Sequence, residues 1–330
     1  MKVLVTGGAG FIGSHLTHAL IEEQHAVVVI DDVSTGNWGN LRGLEGNPRL
    51  ECIQGSVGDK AILQQVLADV DEVYHLAAAV GVALIAQQPI KTIETNVYTT
   101  QLLLDELIRL HQQDGCDRRV FIASSSEVYG KNTKERWTEE DDLVFGSTRR
   151  PRWSYGVSKA IDEFLAFACW KEHQLPVILG RFFNVVGPRQ TGSYGMVLPR
   201  FVDAAVSGQP LVVHDDGQQQ RCFAHVSDVV NAVIRLTRCP EAQGKVFNIG
   251  SDSPVSILQL AEKVIAEAAT SSTIQFQSYA EAYNTDFEDI RRRIPDLSRI
   301  HSAIGYVPRY DLEHIIRELI VAKRRSSETS

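Results

Sequence analysis

The chain has 330 residues, of which 44% are hydrophobic and 22% are charged, and its formal net charge is −8. That length and composition suffice for one large hydrophobic core and a second, smaller one, so we expect one or two domains. The negative charge argues against nucleic acid as a partner, because phosphate binding needs a basic face.

The first half of the chain alternates short β-branched runs with amphipathic stretches. Six of these runs are strand candidates: KVLVTG, AVVVID, LECIQG, EVYHLA, RVFIAS and PVILGRF. Strands that alternate with helical segments predict a Rossmann-type α/β fold, in which a doubly wound parallel sheet is covered by helices on both faces. We therefore expect a first domain over residues 1–180.

Beyond residue 180 the pattern is irregular and rich in Gly and Pro, with PLVVHDDG, KVFNIGS and the helical SILQLAEKVIAEAA as its clearest segments. We expect residues 181–330 to form mainly a smaller α/β lobe that binds the substrate, with segments near 211–240 returning to the first domain. The polar stretch 131–154, which contains EEDD and RRPR, is typical of a solvated surface loop.

The five cysteines show no CxxC spacing and no pairing with nearby histidines, so neither a metal site nor a disulfide framework is indicated. The longest apolar stretch, LAAAVGVALIA, has 11 residues and is too short to cross a bilayer. We expect a cytoplasmic protein with no membrane segment.

A glycine pattern follows the first predicted strand in VTGGAGFIGSHL, where Gly7, Gly10 and Gly13 have G-x-x-G-x-x-G spacing. Such glycines allow a tight turn and close approach to a pyrophosphate, whose charge the following helix N-terminus attracts, although three glycines alone also make a plain turn. The next strand ends at Asp31, a carboxylate that suits an adenosine ribose and repels a 2′-phosphate. The pattern therefore predicts NAD rather than NADP, bound by Gly7, Gly10, Phe11, Ile12, Gly13, Asp31, Asp32, Val57, Leu76, Ala77 and Ala78.

The stretch YGVSK places Tyr155 and Lys159 on one face of a predicted helix. An apolar stripe lies about 150° away around that helix, so packing does not explain the pair. Its members are Ile161, Phe164, Leu165 and Ala168. Beside an oxidised nicotinamide, a lysine ammonium is expected to lower the tyrosine pKa from about 10 towards neutrality. We expect Tyr155 to accept an alcohol proton while a hydride passes to NAD.

The segments TGGAGFIGSH, YHLAA, SSSEVYG, YGVSK and RFFNVVGPR, in this order, resemble the extended short-chain dehydrogenase/reductase family that modifies nucleotide-activated sugars. The resemblance covers nearly the whole chain. It implies a tightly held NAD, contacted also by Tyr155 and Lys159, that takes a hydride from sugar C4 and later returns it. It also implies a homodimer formed by two helices of each subunit, one of them carrying Tyr155. The site residues that it implies are Ser125 or Ser126 at the C4 oxygen, and Asn184 and Arg221 at the nucleotide diphosphate.

Epimerases, 4,6-dehydratases and decarboxylases of this family share these motifs, and three positions separate them. The 4,6-dehydratases carry an Asp where this chain has Ser126, which disfavours dehydration. Hexose 4-epimerases typically lack the Glu that stands here at position 127, so Glu127 has no task in their mechanism. The order Ser, Ser, Glu is similar to that of UDP-glucuronate decarboxylases, whose C-terminal arginine beside the sugar carboxylate maps to Arg293 in FEDIRRRIPDLSRI.

The resemblance is therefore greatest to UDP-glucuronate decarboxylases acting on a UDP-sugar. In that interpretation Ser126 and Glu127 assist the departure of carbon dioxide and the reprotonation of the sugar, and Arg293 holds the charge of the sugar carboxylate in place. Two alternatives stay open: a UDP-sugar 4-epimerase for UDP-glucose/UDP-galactose or UDP-glucuronate, and a non-catalytic NAD-sensing protein. Glu127 is otherwise a plain residue at a strand end, and the three consecutive arginines are otherwise a solvated or diphosphate-binding cluster.

Overall fold

The structure is a computed structural model that describes residues 1–79, 88–192, 196–282 and 290–328. Short 3₁₀ turns cover Trp38–Leu41, Ser126–Tyr129 and Pro240–Ala242, and a π-helical turn covers Glu94–Tyr98. The strands within the described residues are β1 (Lys2–Thr6), β2 (Ala26–Asp31), β3 (Leu50–Gln54), β4 (Glu72–His75), β5 (Arg119–Ser125), β6 (Val177–Phe182), β7 (Val185–Val186), β8 (Leu211–His214), β9 (Gln220–Cys222), β10 (Ala224–His225), β11 (Lys245–Ile249), β12 (Pro254–Ser256), β13 (Ile274–Gln277) and β14 (Arg292–Arg293). The helices are α1 (Phe11–Glu22), α2 (Lys60–Leu67), α3 (Pro89–Ile93), α4 (Thr99–Asp114), α5 (Trp153–His173), α6 (Val197–Val206), α7 (Val226–Thr237), α8 (Ile257–Ala268), α9 (Tyr279–Ala282), α10 (Ser298–Ile304) and α11 (Leu312–Glu328).

The largest sheet has seven parallel strands in the order β11, β6, β5, β4, β1, β2, β3. Successive side chains point to opposite faces, and six of the strands are mostly buried on both, whereas the side chains of the edge strand β3 are exposed or half-buried. Val3 and Val5 of β1 enter the core beneath α1 and α7, whereas Leu4 enters the core beneath α2 and α4. The predicted Rossmann-type doubly wound sheet is confirmed.

A second core lies in the later part of the chain, where α6, α8 and α11 pack against β8 and β13. Strand β9 pairs with β12 on one side and with β14 on the other. Several elements after residue 180 belong to the large sheet or its core: β11 pairs with β6, α7 packs against α1, and α10 contributes Ile300. The division into domains at 1–180 and 181–330 stays a prediction.

Many residues of the polar stretch 131–154 are exposed, as its charges predict, but the stretch also contains buried residues such as Trp137 and Glu139. Trp137 has 0% exposure, and its ring packs on Tyr129 and Phe183 with centroids 5.0 and 6.2 Å away. The backbone N–H of Trp137 donates to the Ile294 carbonyl at 2.9 Å, and the backbone N–H of Asp296 donates to the Trp137 carbonyl at 2.8 Å. This stretch is therefore anchored to the chain that directly follows β14.

Among the described residues, no helix combines the length and apolar character that crossing a membrane requires.

Replacing Trp137 with Ala is expected to lower the free energy of unfolding by about 3–5 kcal/mol, because the change empties a fully buried site. The matched control is Phe276→Ala. Phe276 is 55% exposed, and its loss is expected to cost below about 1 kcal/mol. Urea denaturation followed by circular dichroism measures both, and equal losses in the two variants would contradict the anchoring role of Trp137.

Candidate active site

The predicted glycine loop lies between β1 and α1 and packs against the residues that follow β4. Gly7 has a φ of +72°, and a Cβ there would lie 2.9 Å from the Ala77 nitrogen. A Cβ at Gly13 would lie 2.1 Å from the Gly7 carbonyl oxygen. Gly10 immediately precedes α1, so the helix begins with backbone N–H groups directed at the loop. Gly7 and Gly13 therefore allow the tight turn and the close packing of α1 on the loop that are typical of pyrophosphate-binding loops.

Asp31 ends β2 and holds this loop in place. Its carboxylate accepts hydrogen bonds from the Ala9 N–H at 2.9 Å and the Val33 N–H at 2.8 Å. Burial raises the pKa of Asp31, and the two backbone donors act in the opposite direction. A carboxylate has about four acceptor positions, so the side chain retains acceptor capacity for a ligand hydroxyl.

The remaining predicted cofactor residues lie at the same edge of the sheet. Asp32 is exposed and caps Ser34, while Val57 is buried after β3. Leu76 and Ala77 pack against the two cores of the sheet directly after β4, and Ala78 is partly buried beside them. Phe11 and Ile12 form the first turn of α1. The structure therefore brings these residues together around the glycine loop.

The catalytic candidates meet where β5 ends. Ser125 caps the turn Ser126–Tyr129 by accepting a hydrogen bond from the Glu127 N–H at 3.2 Å, and Ser126 is buried. Helix α5 lies directly against this turn, since a Cβ on Gly156 would be 2.6 Å from the Glu127 carbonyl oxygen. Tyr155 is consequently buried and hydrogen-bonded to Ser125.

The environment of Tyr155 differs from the sequence-based expectation of a lowered pKa. Burial raises the pKa of Tyr155, and the carboxylates of Glu127 and Asp162 add to that, against the Ser125 hydrogen bond and the Arg293 charge. Lys159 forms an ion pair with Asp162, with 3.1 Å between Nζ and Oδ2. The protein groups therefore favour the neutral phenol.

Glu127 lies among arginines. Its Oε1 accepts from Arg293 Nη2 at 2.5 Å, and its Oε2 lies 3.5 Å from Arg152 Nη2. Burial alone would raise the pKa of Glu127, but the charges of Arg293, Arg152 and Arg221 outweigh it and lower that pKa to about 2. Three guanidinium groups therefore act on the single carboxylate of Glu127.

Arg221 and Arg293 are neighbours because β9 and β14 pair in parallel with these two residues in register. Asn184, with a φ of +34°, donates from its side-chain amide to the Cys222 carbonyl at 2.8 Å and so fixes the end of β9. The diphosphate-binding roles of Asn184 and Arg221 stay predictions.

The three consecutive arginines face different partners. Arg291 pairs with Asp216 at 2.7 Å, Arg292 lies 3.6 Å from Glu135, and Arg293 alone reaches Glu127. The first three residues of the quoted segment 287–300 lie outside the described residues.

Two charged residues of this site were missed by sequence reasoning. Arg152 lies three residues before Tyr155, directly ahead of α5, and Asp162 lies three residues after Lys159. This helical spacing places both on the side of α5 that carries Tyr155 and Lys159. The helical spacing was a usable signal in both cases.

Comparisons with known proteins identify the family of the chain. The chain matches the family described as GDP-mannose 4,6 dehydratase over residues 4–319. A relative named UDP-N-acetyl-alpha-D-glucosaminuronate decarboxylase, from Bacillus cytotoxicus, is 36% identical over 97% of this chain and 96% of its own length. UDP-glucuronic acid decarboxylase 1 of Xenopus tropicalis is 31% identical over 99% of this chain and 73% of its own length.

Solved structures show the same architecture. The UDP-glucuronic acid 4-epimerase of Bacillus cereus, in complex with UDP-glucuronic acid and NAD, is similar with a TM-score of 0.85 and 28% identity, over 98% of this chain and 100% of that one. DesIV, a dTDP-glucose 4,6-dehydratase of Streptomyces venezuelae, has a TM-score of 0.88 and 27% identity, over 100% and 98% of the two chains. Similarity along nearly the whole length confirms the resemblance drawn from the motifs, and the chain belongs to the GDP-mannose 4,6-dehydratase family within the extended short-chain dehydrogenases/reductases.

Proposed function

We propose that the chain is an NAD-dependent UDP-uronate decarboxylase that oxidises sugar C4 through Tyr155 and Lys159. The observation that carries this proposal is the ion pair of Glu127 and Arg293 beside Tyr155, with Arg152 and Arg221 around it. The guanidinium of Arg293 is suited to pair with the carboxylate of such a sugar, since arginine binds carboxylates through paired hydrogen bonds. Relatives named as decarboxylases of UDP-glucuronic acid and of its N-acetylated counterpart support it.

The residues around the glycine loop fit NAD. Gly7 and Gly13 allow the tight turn and the close helix packing of a pyrophosphate-binding loop, and Asp31 retains acceptor capacity for a ribose hydroxyl. When bound there, NAD supplies a hydride acceptor for sugar C4 and the donor that later restores it.

Tyr155 accepts the proton of the C4 hydroxyl in this proposal, and Ser125 or Ser126 hydrogen-bonds the same oxygen. Because burial raises the pKa of Tyr155, the positive charge needed to lower it comes from Lys159 together with the oxidised nicotinamide. The oxidised sugar is a β-keto acid. Its C5–C6 bond breaks, carbon dioxide leaves, and the electron pair delocalises into the C4 ketone before a proton adds at C5.

Glu127 and Ser126 are the groups placed to handle that departure and reprotonation. With a pKa of about 2, Glu127 is ionised before substrate binds and can only accept a proton. A substrate carboxylate among the same arginines adds a second negative charge, which raises the proton affinity of Glu127. A proton that Glu127 takes up from solvent when the uronate binds can then be passed to C5.

The second candidate function is a UDP-sugar 4-epimerase, favoured by the likeness to the UDP-glucuronic acid 4-epimerase. It shares Tyr155, Lys159 and the arginines but keeps every carbon. A non-catalytic NAD-binding protein fits less well, because packing alone does not explain why Tyr155 and Lys159, two ionisable side chains, are buried.

The purified protein with NAD is expected to convert UDP-glucuronate, or its 2-acetamido counterpart, to a product lighter by one carbon dioxide. Mass spectrometry of the products separates the candidates, because epimerisation leaves the mass unchanged and dehydration removes one water. UDP-glucose is the matched neutral substrate and is expected to stay unconverted. Conversion of UDP-glucose with unchanged product mass, and no carbon dioxide from either uronate, would select the epimerase.

We also propose a homodimer that associates through α5 and the neighbouring segment from α3 to α4. Val157, Ile161 and Phe164 are 36%, 38% and 70% exposed along one face of α5. Ile90 and Tyr98, on the segment packed beside it, are 73% and 57% exposed. An apolar face built from two adjacent helices suits a two-fold interface, in which the same patch meets its copy.

Replacing Phe164 with Glu is expected to convert a dimer to a monomer, because it places a charge at the most exposed of the three apolar residues of α5. Light scattering coupled to size-exclusion chromatography measures the mass. Phe276→Glu is the control, since Phe276 is exposed on β13 in the other core region. A parent protein that is monomeric, or a Phe164→Glu variant that stays dimeric, contradicts this interface.

A cytoplasmic location is a further part of the proposal. All five cysteines are free, and Cys52 and Cys116 are exposed. A reducing compartment keeps exposed thiols in that state.

A further inference from the structure

The ammonium of Lys159 is paired inside the protein before any ligand is considered. Its partner Asp162 lies one turn further along α5, and the two side chains are 3% and 0% exposed. Solvent cannot screen a pair at that depth, so the charge of Asp162 reaches its neighbours at nearly full strength. Asp162 is therefore an electrostatic element of the site and not a surface residue.

Tyr155 is one of those neighbours. Among the groups that act on its phenol, the carboxylates of Asp162 and Glu127 oppose ionisation and the guanidinium of Arg293 favours it. The pairing with Asp162 offsets part of the positive charge that Lys159 presents to its surroundings. The helix thus carries both the ammonium that activates the tyrosine and the carboxylate that restrains that activation.

Other elements packed around the pair do not replace Asp162. His75 of β4 is fully buried, and burial together with the Lys159 charge lowers its pKa to about 3, so it is neutral. Thr100 of α4 lies against Asp162 and carries no charge, and Glu163 on the same helix is engaged by Arg181 at 2.6 Å. Asp162 is the group placed to set the charge that Lys159 presents.

We propose that Asp162 is a positioning residue that tunes the proton affinity of Tyr155 through Lys159. The inference rests on the proposed function, in which Tyr155 takes a proton from the C4 hydroxyl and gives it back when C4 is reduced. A base that is too weak fails in the first step, and an acid that is too weak fails in the second. A buried counter-ion beside the lysine keeps the tyrosine between these limits.

The test uses Asp162→Asn and Asp162→Ser, both of which remove the charge, in the NAD-loaded enzyme. Tyrosinate absorbance is measured from pH 5 to pH 10 as the difference between each protein and its Tyr155→Phe counterpart. The titration midpoint of Tyr155 is expected to fall by about one pH unit in both variants. At a pH below the midpoint, this shift corresponds to a tenfold larger fraction of tyrosinate. No sugar is needed, so this result stands apart from whether the enzyme is a decarboxylase.

The activity readout is the pH profile of turnover. Its acid limb is expected to move to lower pH by the same amount in both variants, while Asp162→Glu, which keeps the charge, returns the midpoint towards that of the parent. Asp105→Asn is the matched control, since Asp105 is exposed on the neighbouring α4. A midpoint that is unmoved or that rises in the two neutral variants would overturn the proposal.

Discussion

The ion pair between Glu127 and Arg293 joins the two parts of the chain on which the site depends. Glu127 stands at the end of a strand of the large sheet, and Arg293 stands on a short strand held by β9. Burying charges costs free energy that pairing only partly offsets, so a buried ion pair is weak evidence for stability. Here the pair lies beside Tyr155, and Arg152 and Arg221 also act on the Glu127 carboxylate. In the proposed function this cluster binds the sugar carboxylate and does not mainly stabilise the fold.

The topology of the sheet places the predicted cofactor residues and Glu127 at the carboxyl ends of the parallel strands. The chain builds β1 to β3 in one direction and then crosses back to β4, so β1 and β4 are neighbours at the point where the strand order reverses. Crevices at such points are the usual ligand sites of doubly wound sheets. Gly7 and Ala77 meet there, and the turn after β5 lies one strand further along. The order of strands thus places the predicted cofactor residues close to the turn that carries Glu127.

Much of this was predictable from local pattern. The valine-rich runs, the glycine spacing and the pairing of Tyr155 with Lys159 depend on residues close in sequence, and periodicity reports such features well. The buried part of the stretch 131–154 was not predictable, because Trp137 is buried by residues more than 40 positions away, such as Phe183 and Ile294. Charge composition cannot reveal a partner at that separation.

The electrostatics of the site were also only partly predictable. The Tyr/Lys spacing points to a tyrosine that is activated by its lysine, yet the structure adds Asp162 beside that lysine and buries the phenol. Arg152 likewise reaches Glu127 only because α5 lies against the turn that follows β5. Which charges surround a group depends on packing between elements, and the sequence records that only indirectly.

The central claim is that Glu127 and its arginines act on the carboxylate step while Tyr155 acts on C4. A single turnover of the Glu127→Gln variant with UDP-glucuronate labelled at C6 tests it most directly, by following NADH absorbance and labelled carbon dioxide together. NADH is expected to form at close to the parent rate, while carbon dioxide release slows by about 100-fold or more. Equal slowing of both signals, or no slowing of either, would contradict the claim.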